Sequence, residues 1–260
     1  MFMGLLMALA VIAVYLYAQN NCLTLSRRTL KIGLDQPLTI VQLSDLHNAR
    51  FGDEQKRLLD MVRAQSPDAI VLTGDIIDDE KGGYEPALEL ARGCAAIAPT
   101  YFVTGNHEKL SPSYENFLPE LEKTGVMDLN GKTVTLAPQV TLTGAQDAGF
   151  IGLADYEGYI ASLMPQTDGY HILLAHRPEL FEAYARAGFD LSLCGHAHGG
   201  QIRLPLIGGL YAPGQGALPR YTAGLYELDG LDMLVSRGLG NSVFPFRVGN
   251  RPEVVALRIE

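Results

Sequence analysis

The chain has 260 residues and a mass of 28.2 kDa, a length that suits one large domain or two small ones. Hydrophobic residues make up 47% of it and charged residues 19%, which excludes a disordered or fibrous protein. Three cysteines are too few for a disulfide framework or a thiolate zinc cage, and a net charge of −9 argues against binding to the nucleic-acid backbone.

The first predicted element is an apolar helix over residues 1–19. Every residue from Met1 to Ala18 is apolar, glycine or tyrosine, and this length is near the lower limit for a membrane span. No Lys or Arg precedes the run, which counts against a cleaved signal peptide. We interpret the segment as an uncleaved membrane anchor and keep the signal peptide as the alternative.

A basic segment follows the anchor. Residues 20–35 are predicted to form a juxtamembrane linker that carries Arg27, Arg28 and Lys31 and no acidic residue before Asp35. Positive charge collects on the cytoplasmic side of a membrane helix, so this position favours a cytoplasmic catalytic body. An extracytoplasmic body is the alternative.

Residues 36–260 are predicted to form one domain in which strands alternate with helices. Buried strands are expected at Leu38–Leu43, Asp68–Leu72, Thr100–Val103, His171–Ala175 and Asp190–Cys194. Helices are expected at Asp53–Gln65, Tyr84–Ala98, Tyr114–Lys123 and Pro178–Ala187. Short runs between turn residues over 126–144 predict antiparallel strands, and further strands are expected in the tail after Gln201. The pattern predicts a layered α/β architecture with mixed sheets.

Polar clusters follow the five buried strands. The clusters are Ser44–His47, Gly74–Asp75, Gly105–Glu108, Ala175–His176 and Gly195–His198. The carboxyl ends of strands in α/β sheets are where sites are built. Asp, Asn and His without any thiolate suit Mn, Fe or Zn and do not suit a structural zinc knuckle. These clusters therefore predict a metal site at one edge of the sheets.

Each cluster alone has a simpler explanation as a helix cap, a turn or a satisfied core histidine. Their joint occurrence is more informative, because five of the six histidines fall in the clusters. The sixth, His171, is interpreted as a strand-end or surface histidine.

The ordered series of motifs resembles one known family. It reads DxH at 45–47, GD at 74–75, GNHE at 105–108, a single His at 176 and GHxH at 195–198. This series is similar to that of the calcineurin-like metallophosphoesterases. The tail runs GGQIRLPLIGG, YAPGQG, SRGLGNS and NRPE resemble the bacterial membrane-associated, phosphodiesterase-like branch of that family.

The resemblance implies a four-layer α/β/β/α sandwich of two mixed sheets and a centre of two divalent ions, Mn, Zn or Fe. By motif matching, one ion would bind Asp45, His47 and His198. The second would bind Asn106, His176 and His196. The carboxylate of Asp75 would bridge both ions.

The resemblance also implies a mechanism in which a metal-bridged hydroxide attacks phosphorus. His107 would donate a proton to the leaving group or stabilise the transition state, and Asp45 would orient His107. Glu108 is left as an outer or surface group. Arg50 and Arg177 lie near the motifs, where a phosphate contact and a structural salt bridge are both open interpretations.

These expectations describe a metal-dependent phosphoric ester hydrolase whose partners are a phosphate-ester substrate and a membrane. A phosphodiester is the leading substrate. The alternative is a pyrophosphatase of a lipid-linked nucleotide such as UDP-diacylglucosamine. A non-catalytic metal-binding scaffold is the contrasting class, and the presence of every motif ligand counts against it.

Overall fold

The computed structural model describes residues 2–78, 80, 82–241 and 244–260. Met1 of the predicted anchor and Ser242 of the tail run SRGLGNS lie outside these residues. Eight α-helices are described: α1 Phe2–Asn21, α2 Lys56–Arg63, α3 Glu85–Ala95, α4 Asn106–Leu110, α5 Tyr114–Lys123, α6 Ala148–Ile151, α7 Tyr156–Leu163 and α8 Phe181–Ala187.

The described strands follow the predicted alternation and add short ribbons in the tail. In the first half of the chain they are β1 Thr24–Leu30, β2 Leu38–Leu43, β3 Ala69–Thr73, β4 Thr100–Val103, β5 Met127–Asp128, β6 Thr133–Ala137 and β7 Val140–Gly144. In the second half they are β8 Tyr170–Leu174, β9 Leu191–Cys194, β10 Arg203–Leu204, β11 Gly208–Gly209, β12 Tyr211–Ala212, β13 Gly216–Ala217, β14 Gly224–Leu228, β15 Leu231–Val235 and β16 Glu253–Ile259.

Two six-stranded mixed sheets form the body. The first has the order β1-β16-β2-β3-β4-β5, in which only the β16–β2 pair is antiparallel. The second has the order β14-β15-β9-β8-β7-β6, in which the two outer pairs are antiparallel and the inner pairs are parallel. The parallel strands therefore point their carboxyl ends toward common edges, as the sequence pattern predicts.

Three apolar cores show the layer order. One lies between the first sheet and α2, α3 and α5, and includes Leu58, Leu90 and Phe117. A second lies between the two sheets, where Ile40 and Val71 of the first sheet join Leu174 and other residues of the second. A third packs α7 and α8 on the second sheet. The predicted four-layer α/β/β/α sandwich is confirmed.

The segment predicted as a basic linker has a different structure. Thr24–Leu30 pairs in parallel with Glu253–Ile259 and forms the edge of the first sheet. Arg27 and Arg28 are exposed on this edge, where charged side chains discourage pairing with other chains. The strand was not predicted because the two arginines were interpreted as the basic flank of the membrane anchor. We therefore propose that the catalytic domain begins before Thr24 and not at residue 36.

Helix α1 stands apart from the sandwich over most of its length. Its side chains are exposed from Phe2 to Tyr15, and Gln19 near its end is buried against the body. Among the described residues it is the one helix that is long and apolar enough to cross a membrane.

Candidate metal centre

The predicted ligands lie together where the carboxyl ends of strands from both sheets meet. Strands β2, β3 and β4 of the first sheet lead into Asp45, His47, Asp75 and Asn106, and strands β8 and β9 of the second lead into His176, His196 and His198. Residues that are 151 positions apart in the chain are thus in contact: the backbone N–H of His196 donates to a carboxylate oxygen of Asp45 at 3.0 Å.

The first group of donor atoms comes from Asp45, His47, Asp75 and His198, and all four side chains are buried. The Nε2 atoms of His47 and His198 are 3.2 Å apart. His47 Nε2 lies 3.7 Å from Asp75 Oδ2, and His198 Nε2 lies 3.5 Å from Asp45 Oδ1. The donor atoms lie within 4.8 Å of one another, a spacing that one divalent ion can bridge.

The second group comes from Asp75, His176 and His196, which are also buried. His176 Nε2 lies 3.0 Å from Asp75 Oδ2 and 3.1 Å from His196 Nδ1. Asp75 belongs to both groups, so its carboxylate is where two neighbouring ion sites would share a ligand.

Asn106 begins α4 beside these groups. Its Oδ1 atom is buried and has no hydrogen-bond partner among the described residues. An orphaned buried carbonyl oxygen is costly unless a cation or water satisfies it. Together with the facing pairs of imidazole nitrogens, this oxygen makes a donor set that fits divalent Mn, Fe or Zn.

The outer nitrogens of three histidines also have partners. His176 Nδ1 lies 2.8 Å from the carbonyl oxygen of Thr73. His47 Nδ1 lies 3.3 Å from Asp78 Oδ2, and His196 Nε2 lies 3.5 Å from Glu179 Oε1. The hydrogen bond to Thr73 fixes the tautomer of His176, and the two carboxylates lie close enough to help orient the rings of His47 and His196. Asp78 and Glu179 are not among the residues predicted from the sequence, although each is a carboxylate three positions after a motif residue.

The backbone is strained at five of the seven predicted ligands. The φ angles are positive, between 45° and 64°, at Asp45, His47, Asp75, His196 and His198. Residues other than glycine rarely adopt this region, at a cost on the order of 1–3 kcal/mol each, and they cluster at functional sites. The strained residues are thus the same residues whose side chains converge on the pocket.

Two motif glycines have no side chain where the carboxylates of Asp75 and Asp45 approach the backbone. A methyl group at Gly105 would collide with Asp75 Oδ1, and one at Gly195 would collide with Ser44 Oγ and Asp45 Oδ2. The glycines of the GNHE and GHxH motifs are therefore required by close approach, at Gly105 to a loop of the same sheet and at Gly195 to a loop of the other sheet.

Glu108, left open in the sequence analysis, is buried and has a defined role. Its carboxylate accepts backbone N–H bonds from Asp75, Ile76, Ile77 and Gly105 at 2.7–3.2 Å. The bond from Gly105 is the glutamate half of a capping box for α4. Glu108 therefore holds the Asp75 loop against the start of α4, and burial together with the charge of Asp75 raises its pKa to about 7.

The charges inside the pocket are strongly coupled. Burial alone would raise the pKa of Asp75, but the charge and hydrogen bond of His176, with the charge of His47, hold that pKa well below its usual value. Burial would lower the pKa of His176, yet Asp75 raises it to about 10. Burial, with the charge of a neighbouring histidine, lowers the pKa of His196 and that of His198. In the absence of metal, His176 is therefore protonated at neutral pH.

His107 lies at the rim of the pocket. Its ring is perpendicular to that of His47 with the centroids 4.5 Å apart, and its backbone N–H donates to Asp75 Oδ1 at 2.8 Å. The carboxylate that shares a donor group with His107 and His47 is Asp78. Asp45, which the resemblance assigned to orient His107, contacts His198 and accepts the N–H of His196.

The remaining candidates form structural contacts. Arg50 pairs with Glu89, and Arg177 makes a bidentate pair with Asp147 at 2.7 and 3.0 Å. His171 is the second residue of β8 and lies away from the pocket, where the Thr141 hydroxyl and the carbonyl oxygen of Thr167 contact its two ring nitrogens.

Two cavities open onto the metal pocket. One, of about 390 Å³, is lined by Asn106, His107, His198, Gln201, Tyr211, Pro213 and Phe244. The other, of about 410 Å³, extends from His47 to Asn20 and Asn21 at the end of α1. Both are large enough to admit a phosphate ester.

Comparison with known proteins agrees with this site. Residues 38–200 match the family model described as calcineurin-like phosphoesterase. The chain is 32% identical to phosphodiesterase YaeI of Escherichia coli over 86% of this chain and 82% of that one. It is 30% identical to the uncharacterized metallophosphoesterase YkoQ of Bacillus subtilis over 95% of this chain and 96% of that one.

A mammalian relative has the same domain in a longer chain. The transmembrane protein with metallophosphoesterase domain of Bos taurus is 31% identical over 86% of this chain and 53% of its own length. The family match covers more than half of the chain and includes all five motifs. The protein therefore belongs to the calcineurin-like phosphoesterase family and is a metal-dependent phosphoester hydrolase.

Proposed function

We propose that this protein hydrolyses a phosphodiester at a centre of two divalent metal ions. The observation that supports this most strongly is that Asp75 belongs to two adjacent groups of buried donor atoms. One ion is assigned to Asp45, His47, Asp75 and His198, and the other to Asp75, Asn106, His176 and His196.

Divalent ions in such a pair supply a nucleophilic hydroxide near neutral pH and neutralise charge on the phosphoryl oxygens. The protein contributes the charge balance. Asp45 and Asp75 are the two anionic ligands, whereas Asn106 and the histidines bind as neutral groups. The loaded pocket is therefore net positive and attracts a phosphate anion.

His107 is proposed as the proton donor to the leaving oxygen. It lies beside the metal pocket on α4, and an alkoxide is a poor leaving group unless it is protonated. The grouping of His107 with Asp78 favours Asp78 over Asp45 as the residue that positions its ring.

The diester is favoured over other phosphate esters by the relative whose name states a phosphodiesterase activity. A pyrophosphatase acting on a lipid-linked nucleotide is the second candidate, which the apolar helix α1 favours. A non-catalytic scaffold is disfavoured because each motif ligand is present and the buried ones converge.

We also propose that α1 anchors the protein in a membrane. Its length and composition support this, as does the relative named as a transmembrane protein. The exposed Arg27 and Arg28 next to α1 favour a cytoplasmic catalytic body.

The experiment is an activity screen of the full chain after loading with Mn or Zn. Its substrates are an aryl monoester, an aryl diester, an alkyl diester and a lipid-linked pyrophosphate. We expect the highest kcat/KM on a diester. Removal of the metal by a chelator should abolish turnover of every substrate. A higher value on the pyrophosphate would favour the second candidate, and no turnover with any metal and substrate would refute both.

A further inference from the structure

The membrane helix is tied to the segment that carries the metal pocket. Gln19 of α1 accepts the backbone N–H of Asn250 at 3.0 Å, and the Asn250 side chain donates to the carbonyl oxygen of His198 at 2.7 Å. Asn20 accepts the side-chain amide of Asn241 at 2.7 Å and the N–H of Arg247 at 3.2 Å. One residue thus separates the anchor from a proposed metal ligand.

The length of α1 determines how close the body lies to the bilayer. Tyr15 accepts the N–H of Gly249 at 3.2 Å, so of the described residues of α1 those from 2 to 14 extend beyond the body. These residues cover about 20 Å as a helix, whereas the hydrocarbon core is about 30 Å thick. If the span consists of α1 as described, it includes residues that contact the body, and the body segment around Gly249 lies at the surface of the bilayer.

Exposed apolar side chains continue from this segment to the mouth of the site. We call Leu204, Leu206, Ile207, Tyr211, Phe244 and Phe246 the apolar rim; each is an exposed large apolar side chain. Phe246 borders a cavity with Leu16 and Tyr17 of α1, and its ring centroid is 6.1 Å from that of Phe244. Phe244 and Tyr211 line the cavity that reaches Asn106 and His107.

The sequence of the rim is unusual for a surface facing water. Residues 204–219 contain no charged residue, in a chain of which 19% is charged. Leu206 is fully exposed at the tip between β10 and β11 and has a φ of 68°. Asn or Gly would tolerate the positive φ and would expose no apolar side chain to water at such a turn. A leucine there therefore indicates an apolar environment.

We propose that the apolar rim docks on the leaflet that α1 enters, and that the site therefore takes a phosphoester of a membrane lipid. The second part rests on the proposed function. In the reaction, the oxygen of water bonds to phosphorus, the P–O bond to the leaving alcohol breaks, and that alcohol receives a proton. The docked rim places the mouth at the level where lipid phosphates lie.

Docking can be measured directly because the chain contains no tryptophan. Full-length Leu206→Trp, Phe246→Trp and Met127→Trp variants are inserted into vesicles that contain lipids brominated near the headgroup. Met127 is an exposed apolar residue on β5, at the opposite edge of the first sheet from β1, and serves as the matched control.

We expect quenching of tryptophan at 206 and 246 and not at 127. Emission at 206 and 246 that is unquenched, as at 127, would overturn docking. Docking would also be overturned if the tryptophans at 206 and 246 were unquenched by the lipid but became shielded from water as the protein concentration rises. A second copy of the chain would then cover the rim.

The substrate class is tested with the Leu206→Asn, Phe246→Ser double variant. Asparagine suits the positive φ at 206, and neither position lines the cavity at the metal pocket. We expect kcat/KM on a diacyl phosphodiester in vesicles to fall about tenfold or more, from the loss of apolar burial. Turnover of a soluble aryl diester should be unchanged.

Equal activity of variant and parent on the vesicle substrate would overturn the lipid assignment. Absence of turnover of both the vesicle diester and the soluble diester by the metal-loaded parent protein would instead refute the proposed function, and the quenching result would still decide whether the rim docks.

Discussion

The metal pocket and the apolar rim are neighbouring regions built in opposite ways. The pocket is buried, polar and strained, and its side chains come from the ends of strands in both sheets. The rim is exposed and apolar, and it consists of short ribbons and loops of the tail. In the pocket, backbone strain and the burial of charged groups destabilise the fold. In the rim, apolar surface that could be buried is left exposed. A bound metal ion would compensate for the destabilising features of the pocket, and contact with a bilayer would compensate for those of the rim.

The largest effect expected from the pocket is that of Asp75→Asn. Because Asp75 belongs to both donor groups, the variant should lose both ions. Each ion contributes several kcal/mol, so turnover should fall by about 10⁴-fold or more. Elemental analysis and kcat measure the two losses, with Asp190→Asn, outside the pocket, as the control. Retention of two ions would contradict the shared-ligand assignment.

The next effect separates chemistry from metal binding. His107→Ala should keep both ions and lose turnover on the order of 10²–10⁴-fold, as expected for a missing general acid. The loss should be larger on an alkyl diester than on an aryl diester, whose leaving group needs little protonation. Kinetics at measured metal occupancy test this, with His171→Ala as the control. Loss of metal would place His107 among the ligands.

Glu108→Gln tests whether the support of the Asp75 loop matters for the pocket. Glutamine keeps the shape but replaces one acceptor oxygen by a donor that faces backbone N–H groups. We expect metal affinity to fall about 10–100-fold, as for other residues that position ligands. Metal titration gives the affinity, and thermal unfolding shows whether the variant is folded. Unchanged affinity in a folded variant would remove Glu108 from the metal centre.

The smallest effect is a pH dependence of metal binding. A cation and a proton compete for His176 Nε2, whose pKa in the metal-free protein is about 10. Below that pH the proton must leave, so affinity should rise with pH by about tenfold per unit between pH 6 and 9. His196 is already neutral because its pKa is lowered, so it adds no proton release. Titrations in buffers of different ionisation enthalpy would measure the released proton; its absence would contradict the assignment of His176.

The sequence predicted the strands, the layers and the cluster of ligands because each depends on local patterns. Apolar runs such as Leu38–Leu43 identify buried strands, and polar motifs at their ends identify the site. The strand at Thr24–Leu30 was missed because an edge strand with two exposed arginines has no clear apolar alternation. The role of Glu108 was missed because its four donors come from two separate segments.

Asp78 and Glu179 were not found for a related reason. Their contacts with His47 and His196 depend on the paths of separate loops, in which residues such as Asp75 and His196 adopt positive φ angles. The apolar rim is invisible to pattern analysis as well, since exposed and buried apolar residues look alike in a sequence.

The central claim is that two ions share Asp75. Anomalous diffraction from crystals of the Mn-loaded protein measures it most directly. We predict two peaks in the pocket, both in contact with the carboxylate of Asp75, one beside His47 and His198 and the other beside His176 and His196. A single peak, or two peaks of which only one contacts Asp75, would contradict this account.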